Sequence, residues 1–407
     1  MSGSKTVGAN CLAIELTGKS QPEKSDSTQF LDLYLTLDFR EPWQKLGDGR
    51  FKFGLAGGKL KLKIDGATII PGWRSLLTTI NSTAAALPCQ VQTAGTEAEP
   101  TWIFAPQSGS SVLNGSLESV KLLALQAKES SQTRPISIEA IFEIEKTDLR
   151  SIEAEGLWPH DINPNKHAIL EQKLIQFLLQ KKFQAYASRL ELQYSSFSEP
   201  PKVSADAVEI SDADLSELEA AIARVLKAGD RDFLALANLA ELNPERDFVA
   251  AKLVATDLRD IDLSGINLTR ANLRGSDLTD TNLNNADLSG ASLAGADLSG
   301  AMLGDANLKS ANLQRCSLAL ANLGGANLAG ANLQEANLSN ANLSDADLTD
   351  ANLTNADLHQ AGLVLTTLTG ANLAGANVTA ARFKKDRGIS EELERDLKQR
   401  GAIFEDE

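Results

Sequence analysis

From residue 253 to residue 373 every fifth residue is leucine, 25 in succession. Phe248 precedes the series in phase, and Val378 and Phe383 follow it, which makes 28 centres. An α-helix returns to one side every ~3.6 residues, so leucines five apart would wander around it. A strand alternates every two residues, so successive leucines would point to opposite faces. Neither element can bury this set on one side, and the chain must instead turn a corner once per repeat. Such a coil points each leucine inward and leaves room beside it for a small residue. The residue two before each leucine is accordingly alanine at most sites, the exceptions being Thr256, Ile261, Ile266, Ser276, Thr281, Cys316 and Thr366.

The A(D/N)LXX pattern, as in ANLSDADLTDANLTNADL at 341–358, resembles the pentapeptide-repeat family. The resemblance covers about residues 246–383, a third of the chain. It implies a right-handed quadrilateral β-helix with four repeats in each coil. The 28 centres then predict about seven coils and, at ~4.8 Å per coil, a rod of roughly 34 Å. The family is abundant in bacteria, cyanobacteria especially, and some members are acidic rods that resemble duplex DNA and inhibit DNA gyrase.

Residues 1–195 read as a mainly β, sandwich-like domain with one helix, and no family resemblance is apparent there. Leu31, Leu33, Leu35, Leu37 and Phe39 alternate with polar or smaller residues, the pattern of a half-buried strand. Ile136, Ile138, Ala140, Phe142 and Ile144 repeat it. FKFGLAGGKLKLKI at 51–64 predicts a hairpin turning at Ala56-Gly57-Gly58, with Arg50, Lys52, Lys59, Lys61 and Lys63 all on its outward face. Leu170, Leu174, Phe177 and Leu178 recur at helical spacing and predict one helix over 166–182. A last strand near 184–194 should pack back onto the sheet.

Residues 196–210 form a polar, proline-bearing linker, and 211–245 a helical cap on the repeats. Ser211 can cap a helix whose Leu215, Leu218, Ile222, Val225 and Leu226 make one stripe, ended by Gly229. A second short helix is expected over 231–241. The cap has a physical reason: a first coil exposes unpaired backbone groups and bare leucines. Residues 384–407 repeat the solution with a capping helix and tail. Ser390, Glu391 and Glu392 start it, Leu393 and Leu397 lie one turn apart, and Gly401 ends it. Ile403 and Phe404 are then free to fold back onto the final coil.

Composition disfavours several functions. Three scattered cysteines, Cys11, Cys89 and Cys316, make neither a disulfide framework nor a zinc site. The opening MSGSKTVGANCLAIEL lacks the basic-then-apolar layout of a secretion signal, and no run suits a membrane span, so a cytoplasmic protein is expected. Net charge is −15, yet residues 1–200 hold 21 basic and 22 acidic residues. The acidity therefore lies in the second half, which disfavours direct nucleic-acid binding. Of the three histidines, His359 lies on the exterior of the repeats, while His160 and His167 sit near Asp161 in WPHDINPNKH, where a polar turn before a helix explains them. No catalytic, metal or cofactor motif is present, so an enzyme is not expected, and no cofactor. The enzymatic or ligand-binding alternative would need a pocket near Trp102, Trp158, His160 and Asp161.

Folding the repeats at 20 residues per coil assigns outward residues to faces. One face carries Asp257, Asp277, Asp297 and Asp357, with Asp260 and Asp280 beside it. Carboxylates stacked ~4.8 Å apart repel by about 1 kcal/mol per neighbour even in water. The family resemblance would place DNA-like charges on these six, although Ser317 and Asn337 interrupt the column and Arg259 lies within it. Another column, Asn272, Asn312, Asn332, Asn352 and Asn372, reads as structural. The basic hairpin would suit an acidic protein, a phosphate-bearing ligand or an anionic membrane surface. Val364 and Leu365 break the polar exterior, as a contact for a partner, a second copy or, as the favoured cover, the C-terminal helix. The expected function is a non-catalytic scaffold or adaptor that binds a protein partner, with the β-domain giving specificity; a homodimer is compatible with it. The alternative is a charge mimic that regulates a topoisomerase or another DNA-binding enzyme.

Overall fold

The structure is a computed structural model that describes residues 11–20, 30–41, 43–71, 89–107, 110–127, 135–183, 186–194, 202–205, 210–229, 232–384 and 388–405. The protein is mainly β with few helices. Its chain divides into two compact units, residues 1–159 with 174–219 and residues 160–173 with 220–407.

The first unit holds β1 (Leu12–Ser20), β2 (Phe30–Phe39), β3 (Trp43–Leu46), β4 (Gly49–Leu55), β5 (Gly58–Asp65), β6 (Ala67–Ile69) and β7 (Cys89–Gly95). It continues with β8 (Pro100–Pro106), β9 (Gly115–Ala127), β10 (Ile136–Glu143), β11 (Leu149–Glu155), β12 (Tyr186–Tyr194) and β13 (Lys202–Ala205). Three sheets result, ordered β1-β2-β9-β6, β13-β12-β10-β5-β8-β7 and β11-β4-β3. The alternating residues of β2, Leu31 to Phe39, are all buried. Phe39 meets Phe104 of β8 and Phe142 of β10 at ring separations of 6.1 and 6.0 Å, so the first two sheets share an aromatic core.

The expected 51–64 hairpin does not form. Both strands exist, but β4 pairs with β3 and β11, while β5 pairs with β8 and β10. Charge explains the choice of partner. Lys59 and Lys63 lie opposite Glu143 and Glu139 of β10, and Arg50 and Lys52 lie opposite Glu155 and Glu153 of β11. Pairing β4 with β5 would instead have brought basic strands together, which is unfavourable. The Ala56-Gly57-Gly58 turn becomes a passage between sheets, and a Cβ on Gly58 would lie 2.1 Å from the Phe142 ring.

β12 packs against β10 as expected. Within the stretch read as linker, residues 202–205 differ: β13 pairs with β12 and occupies its free edge. Residues 196–201 and 206–209 lie outside the described residues. The one expected helix, α1 (Pro164–Leu178), starts two residues early and ends in a wider turn over Leu179–Phe183. Asn163 caps it by accepting the Lys166 N–H at 2.8 Å, with Pro164 in the first turn, where its missing N–H costs nothing.

α2 (Asp212–Lys227) follows Ser211, whose Oγ accepts the Asp214 N–H at 3.2 Å. α3 (Phe233–Leu239), shorter than the expected 231–241, is capped by Asp232. From Lys252 opposite Asn272 to Asp357 opposite Asn377, the residue before each centre bridges in parallel to the residue 20 further on. Four pentapeptides therefore make one turn. Each centre donates its N–H to the next coil, as Leu313 does to Asn332 O at 2.8 Å, and Asn332 N–H returns to Ala311 O at 2.9 Å. The 25 leucines are at most 4% exposed. Hydroxyls in the small position find carbonyls, as when Thr281 Oγ1 donates to Leu258 O at 2.5 Å.

The second residue after each centre turns the corner, and from Ala250 to Ala380 all 27 have positive φ. Gly, Asp or Asn fills 17 of these positions, the residues that tolerate this conformation best. Gly295 and Gly300 separate two costs. A Cβ on Gly295 meets nothing within 4 Å, whereas one on Gly300 would sit 2.2 Å from Asp280 Oδ1. Gly295→Ala is expected to lose about 1 kcal/mol through the backbone alone. Gly300→Ala should lose more, and the excess should vanish in an Asp280→Ala background, as read by urea unfolding.

At the far end β14 (Gly362–Leu363), β15 (Arg382–Lys384) and β16 (Ile403–Glu405) stack in parallel. Ile403 and Phe404 thus return onto the final coil as expected, with the Phe404 and Phe383 rings stacked at 5.4 Å. α4 (Glu391–Gln399) is capped by Ser390 and buries Leu397, while Arg400 Nη1 donates to Leu373 O and Ala376 O at 3.0 Å each.

Candidate functional site

Two of the three outward positions in each repeat are shaped by the turn itself. The Asn or Asp before the centre accepts the N–H of the residue after it, for example Thr279 N–H to Asp277 Oδ1 at 3.1 Å. Asn amides also bond along the stack, as Asn342 Nδ2 does to Asn322 Oδ1 at 2.9 Å and Asn377 Nδ2 to Asp357 Oδ1 at 2.8 Å. The corner residue is selected for its positive φ. Only the residue directly after the centre is unconstrained by the backbone.

The six acidic candidates fall on these constrained positions. Asp257, Asp277, Asp297 and Asp357 each hold a turn N–H, at 3.4, 3.1, 3.0 and 3.0 Å. Asp260 and Asp280 are corner residues, both at φ 56. Arg259 lies between the first two, 2.9 Å from Asp257 and 3.3 Å from Asp277. The Asp257 carboxylate, then Asp277, holds its guanidinium above the usual pKa. Asp297 accepts the Ser299 hydroxyl at 2.6 Å.

The five basic candidates are divided between two sheets, and each faces an acid. Arg50 pairs with Glu155 at 2.5 Å, and Lys52 with Glu41 at 3.1 Å and Glu153 at 3.6 Å. Lys59 meets Glu145 and Lys61 meets Glu143, both at 2.6 Å. Lys63 is opposite Glu139, whose carboxylate Arg189 also holds at 2.5 Å. Hydrogen bonding to Glu41 and Glu145 raises the pKa of Lys52 and Lys59 respectively.

Val364 and Leu365 are half-buried and lie on the face centred on Leu263, Leu283, Leu303, Leu323, Leu343 and Leu363. The same face carries two residues that sequence reasoning missed. Met302, 42% exposed, stands where an Asn or Asp would clamp the turn, and Leu320, 70% exposed, stands at the corner leading into the face at φ 61. Around them Gly304, Gly324 and Gly325 project no side chain. The missed signal lay in the columns: at 20-residue steps, Met302 and Leu320 depart from their neighbours as plainly as Val364 does.

The tryptophan and the histidine named together differ in exposure. Trp102 is 0% exposed within the core, whereas His160 and Asp161 are exposed. His167 lies 3.8 Å from Glu171, and burial, then Lys252, lowers its pKa. Among the described residues no group of three His, Cys, Asp or Glu is placed to hold a metal, and no helix is long and apolar enough to cross a membrane.

The pentapeptide repeats family matches eight copies, over residues 247–285, 281–319, 321–360 and 346–384. Through this region the chain belongs to the pentapeptide-repeat proteins. Among solved structures, HetL from the cyanobacterium Nostoc sp. strain PCC 7120, involved in heterocyst differentiation regulation, is 35% identical, with 34% of this chain and 74% of HetL covered and a TM-score of 0.17. A pentapeptide repeat protein from the Arabidopsis thaliana thylakoid lumen is 31% identical over 28% of this chain and 74% of that one, TM-score 0.18. Full-length QnrB1, a plasmid-mediated fluoroquinolone resistance protein, is 18% identical over 40% and 89%, TM-score 0.20. No curated protein matches the chain.

Proposed function

We propose that this protein is a non-catalytic scaffold of the cytoplasm whose rod binds a protein partner through the Met302–Leu320 face. In this reading the repeats form a right-handed quadrilateral β-helix capped at both ends, and the first unit is a sandwich-like domain that adds specificity. The observation that carries the reading is Leu320. A left-handed backbone costs an ordinary residue about 1–2 kcal/mol, and its side chain is 70% exposed. Neither the corner nor the core selects a leucine there. Met302 and the glycines beside it extend a smooth surface, bordered by Asp305, of the kind that buries well against a partner.

Charge mimicry finds less support. Its six carboxylates serve the turns or corners, and Arg259 neutralises the start of the column.

A photo-crosslinking residue at position 320 should capture one dominant partner in the native host, and the same probe at Ser310, on another corner, should not. Equal capture at both positions, or none, would remove the reading. With the probe moved to position 302, Leu320→Gly should abolish capture, and the variant should gain about 1 kcal/mol of stability because glycine relieves the corner. A loss of stability instead would assign Leu320 to packing.

A further inference from the structure

We infer that a cleft of about 600 Å³ at the first coil takes an extended, lysine- or arginine-rich peptide segment of another protein, added as a strand to the open coil edge. This inference is independent of the Leu320 contact, since it rests on other residues.

Each inner coil satisfies the one before it. Asp277 N–H donates to Thr256 O at 3.0 Å, and Asp277 O accepts Leu258 N–H at 2.8 Å. The first coil has no predecessor, and its sides are closed differently. On one side the Asn165 side chain imitates a strand, its Nδ2 donating to Asp257 O at 2.7 Å and its Oδ1 accepting Asp257 N–H at 2.9 Å. On another, Ala250 N–H reaches Thr269 O at 2.8 Å. At Asp262 the edge is open. Among the described residues, Asp262 N–H, Asp262 C=O and Ser264 C=O have no protein partner.

Those three groups line the cleft together with α3 and the segment after it. They repeat the pattern that every later coil satisfies with a strand, so an extended chain can bond there in the register of the missing coil. The walls choose its side chains. Leu234, Leu242 and Pro244 offer apolar contact, while Asp262, Glu245 and Glu241 surround them with carboxylates. Hydrogen bonds from Ser264 hold the Asp262 carboxyl below its usual pKa, so it stays ionised. Arg224 already pairs with Glu241 at 2.6 Å, which leaves Asp262 and Glu245 to attract a cationic segment.

The test pans a displayed library of random short peptides on the full chain and measures the most enriched one by fluorescence polarisation. Enriched peptides should alternate basic with apolar residues and bind more weakly as salt rises. Asp262→Pro removes an N–H that has no partner among the described residues and should weaken binding about tenfold or more. Glu245→Lys, a change to an exposed side chain, should weaken it several-fold. The inference is overturned by no enrichment, by enrichment of acidic or uncharged peptides, or by unchanged affinity in a folded Asp262→Pro variant. If that variant does not fold, unchanged affinity in Glu245→Lys overturns it equally.

Discussion

Leu313→Ala is expected to destabilise the rod by about 2–5 kcal/mol. Leu313 is fully buried, and so are Leu293 and Leu333, the centres 20 residues to either side. Removing most of the side chain leaves a cavity that the walls cannot close. Leu293 N–H to Asn312 O at 2.7 Å and Leu313 N–H to Asn332 O at 2.8 Å fix the spacing between coils. Leu373→Ala, in the last leucine-centred repeat, where the residue is 4% exposed, should cost less. Urea unfolding of both variants is the measurement. Near-equal, sub-kilocalorie losses would mean that the coils collapse around the void and that the ladder is far softer than its bonds suggest.

Asn165 carries the second large effect. Its amide meets both backbone groups of Asp257, and the residue is 3% exposed. Asn165→Ala leaves a donor and an acceptor without partners at a part-buried edge, at a cost of about 2 kcal/mol. Asn165→Asp should be worse at neutral pH, since a carboxylate oxygen then faces Asp257 O where a donor stood. Protonation restores the donor, so this variant, unlike the alanine, should recover part of its deficit relative to wild type as pH falls through the carboxylate range. A deficit independent of pH would show that the side chain does not serve as the imitation strand.

The interior of the repeats could be read from the chain because one inward leucine per side is a condition that no helix or strand meets. The first unit was legible in its strands and not in their partners. Alternation says which residues of β4 and β5 are buried, but the pairing follows from Glu139, Glu143, Glu153 and Glu155 far along the chain. A short turn between two alternating runs therefore suggested a hairpin that charge rules out. On the rod, Asp260 and Asp280 looked like part of a charged column because both sit beside it. Their left-handed backbone gives them another reason to be aspartate. Met302 and Leu320 were readable in principle, since the fold explains neither. Asn165 was not, because nothing local in a helix's first turn announces a bond to a residue 92 positions away.

The bridge from each residue to the one 20 further on also governs how such a gene can change its length. Duplicating one pentapeptide keeps every leucine inside yet moves everything downstream to the next side. A five-residue insertion between Met302 and Leu320 would carry Leu320 to another edge and part the two, with the core undisturbed. Only gains or losses of whole 20-residue turns preserve the pattern of a side. Surface features on this rod are thus inherited in a coarser unit than the repeat that builds it.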